Sequence, residues 1–153
     1  MIKKILYGLL IIFVAIQFIR PEKNVSEIPS QNHIRVHYPV PANVESILKR
    51  ACYDCHSNYT TYPWYANIQP VGWWLQNHIN EGKDELNFSE FAAYTPKKAD
   101  HKLEEVVELV EKKEMPLTSY TYIHKGAILS EQETEILIDW ANGLRKIIQP
   151  DIQ

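Results

Sequence analysis

A chain of 153 residues, 45% hydrophobic and 23% charged, has room for one globular domain and little else. Its 16 basic and 19 acidic side chains give a net charge of −3, and setting aside Lys3, Lys4 and Arg20 at the N-terminus leaves 13 against 19, or −6. That acidic balance argues against a nucleic-acid partner, and it is compatible equally with solubility alone and with docking on a basic patch of a partner protein.

The chain opens with Lys3 and Lys4, followed by an apolar run from Ile5 to Ile19 that is interrupted only by Tyr7, Gly8 and Gln17 and closed by Arg20. A cationic head before such a run is an export signal. Ala15 is the only small residue near its end, so the expectation is an uncleaved signal anchor over residues 1–20, a transmembrane helix with its lysines in the cytoplasm. Fifteen helical residues reach about 22 Å, short of the roughly 30 Å hydrocarbon core, and flanking side chains must supply the difference. The expected location is therefore the inner membrane, with the following domain in the periplasm. Residues 21–43, with Pro21, Pro29, Pro39 and Pro41, read as a linker whose last part wraps the domain through His33, Val36 and Tyr38.

The domain is expected over 44–148. Its first helix starts near Asn43, with Val44, Ile47, Leu48 and Ala51 on one face, and it leads straight into Cys52-Tyr53-Asp54-Cys55-His56. Two thiols one helical turn apart can reach the two vinyl groups on one edge of a porphyrin and form thioethers. The next residue, His56, is then held where its imidazole can ligate the iron. These are the only two cysteines of the chain. A structural zinc site would need a second ligand pair, and none is present. A redox dithiol would sit in a βαβ pattern, which is also missing, and a plain disulfide would leave His56 without a role. The pentapeptide thus predicts one covalently bound haem c. Attachment of that kind takes place outside the bacterial cytoplasm, in keeping with the export signal.

An aromatic loop follows with Tyr59, Tyr62, Pro63, Trp64 and Tyr65. A second helix is predicted over 70–80, with Val71, Trp74, Leu75, His78 and Ile79 facing inward, and a short aromatic stretch over 86–94. A third helix is predicted over 97–114, burying Leu103, Val106, Val107 and Val110, and it stops at Met115-Pro116. The last runs from Ser130, which pairs with Glu133 in a capping box, to about Ile148, with Ile136, Leu137, Trp140, Ala141 and Leu144 inside. No segment alternates like a strand, so the fold class is all-α, helices wrapped around a flat apolar cofactor.

Met115 is the only methionine besides Met1. It stands where Pro116 forces the chain out of a helix, so its thioether can approach an iron from the side opposite His56. His78, His124 or an open sixth position are the alternatives. Arg50, Trp64, Tyr65, Trp73 and Trp74 are candidates to hold the porphyrin or its propionates.

With these residues in place, the sequence resembles the bacterial haem-binding domain family, which is related to single-haem cytochromes c. The resemblance rests on CYDCHSNYTTYPWYANIQPVGWWLQNHINEG at 52–82, EMPLTSYTYIH at 114–124 and LSEQETEILIDWA at 129–141, and covers roughly residues 30–148. It implies a small cytochrome c-like helical domain around one haem, with Cys52 and Cys55 as covalent anchors, His56 as proximal ligand and Met115 as distal ligand. The role it implies is single-electron transfer with redox protein partners rather than enzyme catalysis. A gas or redox sensor, a peroxidase-like protein with an open sixth site, and a haem subunit of a larger membrane complex are the alternatives. Val44, Ile47 and Leu48 occupy the first helix where many small cytochromes c have a glycine and an aromatic, so Trp140 must find another partner.

Overall fold

The computed structural model describes residues 1–26 and 28–152. Every regular element among them is helical: α1 (Ile2–Ile16), α2 (Ile34–His37), α3 (Ala42–Ala51), α4 (Tyr53–His56), α5 (Val71–Glu85), α6 (Pro96–Glu111), α7 (Thr118–Ile123) and α8 (Glu131–Ile148), with short 3-10 turns between several of them. The only β pairing among the described residues is an isolated bridge between Val25 and Tyr59.

Side chains at helical spacing explain the packing. On α3, Val44, Ile47, Leu48 and Ala51 are buried, the face expected from sequence. On α8, Leu137, Ala141, Leu144 and Ile148 are buried, while Ile136 and Trp140 lie half-buried against the same core. Ala99, Leu103 and Val110 of α6 complete the cluster, and α6 and α8 run against each other along their lengths. Arg145 ties this pair at its edge, bonding Asp100 and Glu104, each at 2.9 Å. Ser130 and Glu133 form the predicted capping box at the start of α8. Trp140 finds its partner outside the helices, donating from its indole to the Pro39 carbonyl at 3.0 Å.

Several boundaries and faces differ from expectation. The third predicted helix ends at Glu111 rather than 114, because Lys113 turns to φ 58° and the Glu114 and Met115 amides both return to the Leu109 carbonyl. The second predicted helix extends to Glu85 and is rotated from the expected face. Gly72, Gln76 and Ile79 are buried, while Val71 and Trp74 are exposed. Gln76 can go inside because it accepts from the Tyr62 hydroxyl at 2.6 Å and donates to Asn80 at 2.9 Å. Gly72 is needed there, since a Cβ would collide with the Ala66 carbonyl.

The described residues before α3 make several contacts with the domain. Ile34 is fully buried, Tyr38 packs edge-on against Phe91, and Asn24 donates to the Ser57 carbonyl and the Thr60 hydroxyl, whereas Val36 stays exposed. At the N-terminus α1 has 15 residues and no buried side chain, and among the described residues no helix is long and apolar enough to cross a membrane. The helix expected over residues 1–20 closes at Ile16, where Gln17 turns its side chain to the domain.

Candidate functional site

Between α3, α4, α5 and α6 lies a cavity of about 500 Å³ with mostly apolar walls. Its size falls within the roughly 300–1,000 Å³ usual for cofactor sites. Cys52, Cys55, His56 and Met115, the four residues singled out from sequence, all border it.

The chain reaches this geometry through a break between two helices. Cys52 ends α3 with φ −126° and ψ −44°, its amide still bonded to the Leu48 carbonyl, and its own carbonyl accepts from the Cys55 and His56 amides. The single turn of α4 is thereby wound directly on Cys52. Its exposed carbonyls find partners in the loop beyond. Ser57 Oγ donates to the Tyr53 carbonyl at 2.7 Å and Thr60 Oγ1 to the Asp54 carbonyl at 2.6 Å. Helix α5 passes close behind, and Gly82 permits the approach, since a Cβ there would stand 2.9 Å from the Cys55 carbonyl oxygen and 3.1 Å from its Cβ.

Burial sets the protonation of these groups. It pushes the Cys52 thiol up to about 12 and the Cys55 thiol up to about 11, so both are neutral thiols, and they are not joined by a disulfide. The His56 imidazole is held below its usual value by the same desolvation and is neutral. A carbonyl can only accept, so the 2.9 Å contact between His56 Nδ1 and the Leu86 oxygen fixes the proton on Nδ1 and leaves the lone pair on Nε2. That is the tautomer that metal ligation through Nε2 requires, oriented by a backbone oxygen.

Met115 borders the cavity from the connection between α6 and α7. This connection is tied back to the pentapeptide. The Tyr120 hydroxyl donates to Asp54 Oδ2 at 2.7 Å, and Asp54 Oδ1 accepts from the Thr61 amide at 3.0 Å. Desolvation and the adjacent carboxylate raise the Tyr120 hydroxyl well above its ordinary pKa. His124 stacks on Tyr120 with ring centroids 4.4 Å apart and meets the Tyr65 hydroxyl at 2.9 Å.

The other candidates divide. His78 borders the cavity, its Nδ1 2.9 Å from the Trp74 carbonyl. His124 does not, being engaged with Tyr65 and Tyr120. Arg50 is spent elsewhere, fastening α3 to the start of α8 through Glu133 and the carbonyls of Gly126 and Ile128. Trp64, Tyr65, Trp73 and Trp74 lie off the cavity wall: Trp73 donates to the Ile19 carbonyl, Trp74 packs on His78, and Trp64 is exposed.

Sequence reasoning missed Lys102. It is the one Lys or Arg among the described residues that border the cavity, and it is held by Glu85 at 3.0 Å and Glu105 at 2.7 Å. The spacing of Lys102 and Glu105 on one helix face was available as a signal. The Asp54–Tyr120 contact, 66 residues apart, was not.

Two thiols, a neutral imidazole with its Nε2 lone pair available, a thioether and apolar walls form a donor set suited to a covalently held porphyrin and its iron. No curated protein and no solved structure matches the chain. A family model described as a haem-binding domain matches residues 11–143, a span that holds the pentapeptide, the cavity walls and the Met115 connection. The chain belongs to the haem-binding domain family.

Proposed function

We propose that this protein is a membrane-tethered periplasmic c-type cytochrome with one covalent haem, carrying single electrons between redox protein partners. The observation that carries the reading is the convergence of Cys52, Cys55, His56 and Met115 on one apolar cavity. Cys52 and Cys55 would hold the haem through thioethers, and His56 Nε2 and the Met115 thioether would ligate its iron. When bound, the haem supplies an iron that takes up and gives back one electron.

The chain's own residues set the conditions for that exchange. The Leu86 carbonyl orients His56 and raises its basicity. His56 and His78 come from neighbouring helices α4 and α5 and Met115 from the separate α6–α7 connection, which supports Met115 over His78 as the second residue that would ligate the iron. Leu48, Phe88 and Leu137 line the cavity as apolar walls and exclude water. Helix α1 tethers the domain to the membrane, and the −6 balance of the rest of the chain favours basic partners.

A second reading, a gas or redox sensor with a displaceable sixth position, draws on His78, a competing nitrogen ligand on the same cavity. Spectra separate the two. A ferric charge-transfer band of sulfur ligation, lost in Met115→Ala, is expected of the carrier. Rapid carbon monoxide binding by the ferrous wild type, with no such band, would favour the sensor.

A further inference from the structure

The end of α1 is fastened to the domain. Gln17 and Gln69 exchange two hydrogen bonds: the Gln17 amide donates to the Gln69 carbonyl at 3.1 Å, and the Gln69 backbone amide donates to Gln17 Oε1 at 2.9 Å. Trp73 Nε1 donates to the Ile19 carbonyl at 2.7 Å, and Lys23 reaches Asn67 at 3.0 Å. Gln69 is buried, so the fastening has a fixed base.

Around it the chain leaves large apolar side chains in the open. Phe18 is 84% exposed, Ile19 62%, Trp64 76%, Val71 41% and Trp74 49%. All lie within a few residues of the bonded pairs, and α5 brings no carboxylate in its first turn. A soluble surface has no reason to gather two tryptophans, a phenylalanine and aliphatic side chains at the end of a helix that is itself apolar and buries no side chain.

Length supplies the second argument. At 15 residues α1 falls about 8 Å short of a roughly 30 Å hydrocarbon core. A domain on a loose linker could not reduce that deficit, whereas one fastened at Gln17 is drawn down with the helix. We infer that the face carrying Trp64, Val71 and Trp74 lies in the headgroup layer of the bilayer that α1 enters, with the indoles as interfacial anchors and Arg20 and Lys23 toward the phosphates. The inference rests on the tethered reading and goes beyond it: the domain lies on the membrane in one orientation, so the haem cavity has a fixed height and direction.

The test uses the full-length protein in phosphatidylcholine–phosphatidylglycerol nanodiscs, with benzoylphenylalanine substituted singly for Leu9, Trp64, Trp74 or Ile147. Ile147 is 54% exposed but belongs to the α6–α8 pair. After illumination, mass spectrometry should find lipid adducts several-fold more abundant at 64 and 74 than at 147. Adducts at position 9 with only the position-147 background at 64 and 74 would overturn the inference and leave the tether standing. No adduct at position 9 would overturn both. Adducts of 64 and 74 with protein, a second copy or another chain, would also overturn it.

Discussion

Tyr120→Phe removes one oxygen and tests what holds Met115 in place. The Tyr120 hydroxyl donates to the Asp54 carboxylate at 2.7 Å, across 66 residues of chain. A hydrogen bond to a charged group contributes about 1.5–3 kcal/mol, and partial exposure of both partners reduces that to about 1–2 kcal/mol. Asp54 keeps the Thr61 amide and the ring keeps its stacking on His124, so the loss should stay local. One to two kcal/mol corresponds to roughly a 5- to 30-fold change in an opening equilibrium. Hydrogen exchange of the α7 amides should therefore accelerate by about that factor, with α6 and α8 unchanged. On the proposed ligation by Met115, imidazole binding to the haem-loaded protein should accelerate similarly. Tyr122→Phe, at an exposed ring, is the control. If Tyr120→Phe matches this control in both assays, the Asp54–Tyr120 bond does not secure the Met115 connection.

Gly82→Ala should force α4 and α5 apart, because the new methyl would meet Cys55 at 2.9–3.1 Å. The expected cost is about 1–3 kcal/mol and several degrees of melting temperature, together with a lower haem-loaded yield; an unchanged melt and yield would contradict the close approach. His33 is depressed below its usual 6.5, chiefly by burial and against the pull of Glu45, so the folded state resists its protonation. Stability should be full above about pH 6.5 and fall as the pH drops from there toward the lower folded-state value. His33→Asn keeps an acceptor for the Arg35 amide and should flatten the slope in urea titrations, whereas an identical slope would exonerate His33. Phe88→Ala empties a fully buried ring site that borders both core and cavity and should cost about 3–5 kcal/mol, read by denaturant unfolding.

What could be read along the chain was local. The capping box at Ser130 and the inner faces of α3 and α8 each depend on side chains within one or two helical turns, and the structure reproduces them. The face of α5 could not be read this way. Hydrophobicity favours Val71 and Trp74 inside, but a glutamine goes in because Tyr62, fourteen positions earlier, satisfies it. The same limit explains Arg50, whose cationic end suggested a propionate partner while its true partners lie more than 70 residues away. Asp54 was legible only as the spacer between two cysteines, and its part in holding α7 emerges from the fold.

The most direct test of the account is the intact mass of the full-length protein, purified from a host that attaches haem c, under denaturing conditions before and after acid–acetone extraction. One haem added to the polypeptide, retained through extraction and lost when Cys52 and Cys55 are both changed to alanine, is the predicted result. A haem that washes out of the wild type, or a mass of polypeptide alone, would contradict covalent attachment at this site.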